Sequence, residues 1–408
     1  MSCNRIALAL PLLAIGGFPG SGPRAEDPQP PPPLVQTAPG RAYANLSLDV
    51  LAAVGTSTEP DVTALELGGH DPNQRGFTIQ NVELVVDGAV DPYFRGQANV
   101  VFFIGPDGET EVELEEAYAT TTSLPRNLQV KAGQFFTEFG RLNPQHPHAW
   151  DFVDQPIVNG RFFGPDGLRS AGARVSWLMP APFYSELFFT VQNARGETLA
   201  SFGSREGETL FGRPIVGAGV GDLGDLLYVP RYTASFDLSS TQTLLAGASA
   251  AVGPNGTGPQ GRTHIYGVDF FYKWKPVRAE KGFPFVKVQA EAMRRAFRAS
   301  AIEMETETLP RVIFRDSGLY VQALWGFRTR WVAGARYERV YGSTGDAEPD
   351  DPLHEPRFRA SANVSWFPTE YSKLRLQVNY DGRERSRDAT SVWLQLEVLL
   401  GAHAAHKF

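Results

Sequence analysis

From Ala42 onward, apolar and polar residues exchange places at every second position, the period of strands whose two faces meet different surroundings. The last such stretch begins at Val392. Val392, Leu394, Leu396, Val398, Leu400, Ala402, Ala404 and Phe408 share one parity, broken only by His406. Trp393, Gln395, Glu397, Gly401, His403 and Lys407 hold the other. The same rhythm predicts sixteen strands, the first eight at 42–53, 77–86, 93–103, 112–121, 128–135, 172–178, 183–192 and 227–237. The second eight are expected at 243–252, 264–274, 285–295, 318–325, 331–341, 357–367, 373–381 and 392–400. Each has about the length of a tilted strand that crosses a bilayer.

The connections sort by parity as well. Odd-to-even connections include the long 54–76, 136–171, 193–226, 296–317 and 342–356. Even-to-odd connections include the short 87–92, 123–127, 179–182, 238–242, 326–330 and 368–372. Long external loops alternating with short periplasmic turns are the pattern of a transmembrane barrel, whereas a soluble sandwich has no reason to sort its loops. Five of the seven tryptophans, Trp177, Trp274, Trp325, Trp331 and Trp366, fall at strand ends next to predicted short turns. Amphipathic rings favour the headgroup layer, so they read as an interfacial girdle. An open sheet would leave unpaired backbone groups in lipid, so the first strand must meet the last. The expected fold is therefore all-β, an antiparallel transmembrane barrel of about sixteen strands, wide enough for a water-filled bore.

Composition agrees. The chain has 408 residues, of which 42% are hydrophobic, and no apolar run approaches the roughly 20 residues of a membrane-crossing helix. A mean hydropathy of -0.23 suits strands that show lipid only alternate residues. The longest apolar run, 6–18, follows Arg5 and has the length of a signal-peptide core, with cleavage expected after Ala25. Residues 26–41, with Pro30 to Pro33 in a row, read as an extended linker, and 42–408 as the barrel. Without the leader, 36 basic residues face 45 acidic ones, a formal charge of -9, which argues against nucleic acid as a partner. The single cysteine, Cys3, lies ahead of the apolar core and leaves with the leader, so no disulfide framework or thiolate zinc site is expected.

Between Glu115 and Trp177 the residues become more specific. Glu115-Glu116-Ala117-Tyr118 is followed by Val130-Lys131-Ala132-Gly133-Gln134-Phe135-Phe136 and Glu138-Phe139-Gly140-Arg141, then by Arg169, Gly172, Arg174 and Trp177. This resembles the phosphate-selective porin O/P family of bacterial outer membranes. The resemblance implies a sixteen-stranded homotrimeric channel among outer-membrane lipid and lipopolysaccharide, through which small anions or other small solutes diffuse passively. It also implies a third external loop folded inward to narrow the pore. A last strand ending in Phe408 looks like the signal that barrel-assembly machinery reads. The third long connection, 136–171, carries Phe139, Trp150, Phe152, Phe162 and Phe163, more aromatics than a solvated loop needs, and they are expected to pack on the barrel wall.

Polar parity directs Arg95, Lys131, Arg174, Lys273, Lys287, Arg336, Arg359, Lys373 and Arg375 inward. Glu113, Glu115, Glu186, Asp269, Glu291, Glu338, Asp381 and Glu397 join them. Basic rings favour anions because a low-dielectric wall focuses their field, but with acids nearly equal in number, cross-strand pairing explains the charge as well as selection does. Arg141, Arg161 and Arg169 beside the inward loop are the candidate anion contacts, extended by Lys131 and Arg174, with Glu115 as the acidic candidate at the constriction. His146 and His148 straddle a proline, but without a third ligand in view they read as surface residues, and neither a metal nor a cofactor is expected. No serine pairs by spacing with His264, which has lipid-facing parity, so an enzyme is not expected. The remaining alternative is a secreted or outer-membrane β-rich adhesion or structural barrel without channel activity.

Overall fold

A computed structural model describes residues 35–37, 42–89, 91–105, 107–196, 199–203, 209–216, 219–303, 308–344 and 355–401. The expected leader 1–25, all of the linker except 35–37, and Phe408 lie outside the described residues.

Sixteen long strands form the barrel. The first eight are β1 (Ala42–Ser57), β2 (Gly76–Ala89), β3 (Phe94–Ile104), β4 (Thr110–Thr121), β5 (Leu128–Phe136), β6 (Arg169–Leu178), β7 (Tyr184–Asn193) and β8 (Leu226–Ser239). The others are β9 (Gln242–Pro254), β10 (Arg262–Trp274), β11 (Phe285–Ala299), β12 (Val312–Arg328), β13 (Trp331–Thr344), β14 (Arg357–Thr369), β15 (Ser372–Arg383) and β16 (Ala389–Gly401). Each pairs antiparallel with the next, and β1 closes on β16 from Ser47 opposite Gly401 to Ser57 opposite Ser391. Closure gives every strand two neighbours and leaves no backbone edge to be satisfied in lipid. All sixteen lie where the alternation predicts them, most of them longer, because several ladders run on past the apolar band toward the long connections.

The register shows why alternation suffices. On β15 and β16, Leu376 faces Leu394 and Val378 faces Val392, while Arg375 faces Gln395 and Lys373 faces Glu397. Leu394 is 44% exposed and Gln395 1%. Aliphatic and aromatic side chains stay exposed in the same way on neighbouring strands, among them Val364, Val321, Tyr337, Tyr266, Val268 and Phe189. A continuous belt of this kind far exceeds the apolar patches that soluble monomers expose and suits a wall that faces lipid. Trp177, Trp325, Trp331 and Trp366 are exposed at the strand ends beside the short turns, and the Trp331 and Trp366 rings stack at 6.1 Å.

Of the register shifts in the barrel, two β-bulges lie within the first four strands and change the phase there. One lies where β2 pairs with β1, leaving Gln80 between Ile79 and Asn81 without an opposite residue. The other lies where β4 pairs with β3, leaving Glu115 between Leu114 and Glu116. An unpaired extra residue re-aims the side chains beside it. Strict parity directs Glu115 inward and Glu116 outward; the bulge buries both.

The alternation predicts no helix, yet Ile157–Phe163 forms about two turns of α-helix (α1), all seven residues buried. Pro156 enters it from extended backbone, and Gly164 ends it at φ 96°. Its neighbours supply its order: Gly318 on β12 leaves room for Val158, and a Cβ there would lie 2.7 Å from Val158 Cγ2.

Candidate functional site

The connection from β5 to β6, residues 137–168, has little secondary structure of its own, so its backbone groups need partners elsewhere. The inward faces of distant strands provide them. Gly140 N donates to Ser249 Oγ at 3.1 Å, and the amides of Arg141 and Leu142 donate to Glu291 Oε1 at 3.1 and 2.8 Å. Val153 N donates to Gln377 Oε1 at 2.8 Å, and Ile157 N to Glu338 Oε2 at 2.6 Å. Tyr320 Oη donates to the same Glu291 Oε1 at 2.7 Å. The expected aromatics pack as well: Phe139, Phe152, Phe162 and Phe163 are buried, and Trp150 packs against the same apolar cluster.

The centre of this docking is Asp154. Its carboxylate receives the Arg336 guanidinium at 2.8 Å, Gln377 Nε2 at 2.5 Å, Asn379 Nδ2 at 3.3 Å, and Arg359. Arg359 also binds Asp381 at 2.9 Å, Glu66 at 2.6 Å and the Leu65 carbonyl at 3.1 Å, which ties the 58–75 connection into the same knot. Burial opposes ionisation of Asp154, yet Arg336 and Arg359 hold its carboxyl below the usual aspartate range. Asp71 accepts the Gln155 amide at 2.8 Å, and burial, with the Asp154 charge nearby, pushes it up to about 7. A buried charge cluster of this kind persists only because each member is paired and bonded.

A second contact fixes the segment to β1, β2 and β4. His146 Nδ1 lies 2.8 Å from Glu115 Oε2 and 3.2 Å from Glu83 Oε1, and its Nε2 lies 2.9 Å from Glu116 Oε2. His148 Nδ1 lies 3.1 Å from Glu83 Oε2. The histidines expected at the surface are thus turned into the wall, because the two bulges and the inward register bring four carboxylates beneath them.

These contacts divide the interior. Along β12–β16, β1 and β2 the inward side chains Arg336, Arg359, Asp381, Gln377, Glu397, Asp49 and Glu83 are buried. Along β4–β11 a strip toward the short turns, with Tyr118, Lys131, Phe188, Phe271, Lys273 and Lys287, remains half-exposed, whereas Gln192, Arg231, Asp269, Glu291 and Arg295 on the same strands are buried. Water therefore reaches the second strip, where a cavity of about 570 Å³ lined by Asp237, Thr243, Lys273 and Lys275 opens near the short turns.

The sequence-derived candidates separate on this map. Lys131 and Arg174 are opposite one another on β5 and β6, and both bind Glu138, Lys131 at 3.3 Å. Arg169 binds Glu113 and lies 3.9 Å from Asp166. Arg161, on α1, is buried and donates to the Glu355 carbonyl at 2.7 Å. Glu115 is buried between His146 and His70. Arg141 alone of these stays half-exposed without an ion pair among the described residues, its guanidinium 3.9 Å over the Phe271 ring. Burial pushes it down, with Asp151 the strongest opposing charge. Lys273 and Lys287 are opposite one another on β10 and β11, below Phe271, and have no ion pair among the described residues. Sequence parity placed both inward but could not single them out, since the pairing that neutralises the other cations joins residues far apart in the chain.

No known family profile matches the chain, so the resemblance to phosphate-selective porins rests on the motif residues alone. An uncharacterized protein of Aquifex aeolicus (strain VF5) is 33% identical over 375 residues, 84% of this chain and 73% of that one. The chain belongs to that protein's family. Among solved structures, the outer membrane channel DcaP of Acinetobacter baumannii superposes with a TM-score of 0.59 at 12% identity, over 90% of this chain and 99% of that one. An anion-selective porin from Comamonas acidovorans gives 0.55 at 8% identity, over 88% and 100%. OprB of Pseudomonas putida gives 0.54 at 13% identity, over 88% and 94%. At these identities the likeness is one of fold: a closed sixteen-stranded antiparallel barrel.

Proposed function

We propose that this member of the family is an outer-membrane porin that lets small hydrophilic solutes and ions diffuse passively, with a preference for anions. The observation that carries the reading is the half-exposed strip toward the short turns of β4–β11, where Lys273 and Lys287, with Arg141 reaching over Phe271 from the docked segment, have no ion pair among the described residues, set in a barrel whose outside is apolar. The 137–168 segment acts as the constriction by filling the bore beyond this strip, held on β9 and β11 as well as on β13–β15. Unpaired cations on a narrow low-dielectric path raise the local anion concentration. Phosphate is one such anion, in keeping with the O/P-like motif. A homotrimer, contact with lipopolysaccharide, export through the leader 1–25 and recognition of Phe408 by assembly machinery complete this reading.

A barrel without channel activity is the second reading, favoured by the buried charges along β12–β16. Planar-bilayer recording of the detergent-purified protein separates them. Stepwise conductance with a reversal potential on the anion side in a KCl gradient is expected; folded protein that inserts without conducting would leave only the second.

A further inference from the structure

The pocket where His146 and His148 meet the wall has the composition of a metal site rather than of simple hydrogen bonding. Asp49 and Glu83 are directly opposite each other on β1 and β2. Glu83 presents one oxygen to each histidine: Oε1 lies 3.2 Å from His146 Nδ1 and Oε2 lies 3.1 Å from His148 Nδ1. Glu115 Oε2 completes the first triad at 2.8 Å from His146 Nδ1, and Asp49 Oδ2 the second at 3.5 Å from His148 Nδ1. In each triad the donor atoms all lie within 4.8 Å of one another. The imidazole rings are stacked, with centroids 5.7 Å apart and planes 12° apart, so both Nδ1 atoms approach Glu83 from the same side.

Three features exceed what hydrogen bonding explains. An imidazole Nδ1 carries one proton at most, yet each faces two carboxylate oxygens. Among the described residues neither oxygen of Asp49 accepts a hydrogen bond, although the residue is 0% exposed. A buried carboxylate whose nearest partner is an imidazole at 3.5 Å is costly unless a closer cation completes it. Charge also favours a cation: Asp49, Glu83, Glu115 and Glu116 face three imidazoles counting His70, 3.5 Å from Glu115, so the carboxyl groups outnumber the bases that could neutralise them. The neighbouring Lys373 is already bonded to Glu397. Imidazole nitrogen with carboxylate oxygen is a donor set for borderline first-row divalent ions, and spacings near 3 Å between donors are those that ligands about 2 Å from a common ion adopt.

We propose that His146, His148, Glu83, Glu115 and Asp49 bind divalent first-row transition metal in two half-sites bridged by Glu83, clipping the 137–168 segment to β1, β2 and β4. The proposal stands apart from the porin reading, since binding is measured without any conductance. Full-length protein folded in detergent and stripped with a chelator is titrated with Zn²⁺ by calorimetry and with Co²⁺ by visible absorption. Saturable binding with one ion per half-site and the absorption of nitrogen-ligated Co²⁺ is expected. Asp49→Asn and the double change His146→Gln with His148→Gln each weaken it at least about tenfold. The double change His403→Gln with His406→Gln leaves it unaltered. Absence of saturable binding by folded wild-type protein overturns the proposal without recourse to any variant. So does binding that survives in the His146/His148 double variant or disappears in the His403/His406 one.

Discussion

Asp154, in the middle of the β5–β6 connection, sets its carboxylate 2.8 Å from the guanidinium of Arg336 on β13, and Arg336 Nη1 returns a bond to the Asp154 carbonyl at 2.8 Å. Removing that carboxylate takes a shared partner from two buried guanidinium groups, leaving Arg336 with Glu338 at 2.7 Å and Arg359 with Asp381 and Glu66. Asp154→Ala should cost about 3–5 kcal/mol of the docked state. The expected result is faster limited proteolysis within 137–168 and noisier single-channel current, with the strands still folded by circular dichroism. Unchanged proteolysis would show that the pair holds nothing in place.

The same group sets an acid limit. Its folded pKa lies below the ordinary 3.8, so the pairing contributes fully above pH 3.8 and is lost as pH falls through the lower, folded value. Proteolysis of the segment should therefore rise only below about pH 4. Asp154→Asn, which cannot ionise, should lose that acid transition while remaining weaker throughout the neutral range.

Gly140 tests the other end of the segment. It sits at φ 61°, and a Cβ on it would lie 2.0 Å from Glu291 Oε2, the carboxylate that holds the next two amides. Gly140→Ala combines backbone strain with displacement of that carboxylate, a cost of about 1–3 kcal/mol. The effect should show as exposure of the segment to protease, with little change in barrel unfolding by urea.

What the sequence made legible follows from what its physics makes local. One face of each strand is the apolar outside of the barrel and the other turns to its polar interior, so the two-residue period is legible in strands from Ala42 to Gly401. Bulges are not local in this sense. The phase shift at Glu115 depends on how β4 is paired with β3, and with it went the assignment of Glu116 and the surroundings of His146. The helix at Ile157–Phe163 was illegible for a related reason: its seven residues are too few to be stable alone and are ordered by burial against β12 and β13. Among the candidate cations, parity gave the direction of Lys131 and Arg174 but not Glu138, whose charge binds both.

Arg141, Lys273 and Lys287 carry the charge preference in the proposed channel. Replacing all three by glutamine should lower the anion-to-cation permeability ratio roughly several-fold while conductance remains. Replacing Lys131 and Arg174 instead should change it less, because Glu138 already offsets them. Equal effects from both sets, read as reversal potentials in the same salt gradient, would mean that the field comes from net charge rather than from unpaired groups.

The lipid-facing wall makes the hardest demand of all, because it separates a membrane barrel from a soluble one. Leu394 on β16 is exposed and lies opposite Val54 on β1 and Leu376 on β15, in the middle of the apolar belt. Arginine there must sit near the bilayer midplane, at a cost of about 2–4 kcal/mol. Leu238 is also exposed but lies at the end of β8 beside a short turn, where the headgroups begin, and arginine there should cost about 0–1 kcal/mol. Urea unfolding from phosphatidylcholine vesicles measures both. In a soluble β-protein each would be an ordinary surface change, within about 0.5 kcal/mol of wild type. A depth-dependent difference between the two sites therefore supports the lipid-facing belt, and equal, negligible costs would remove the membrane from the account altogether.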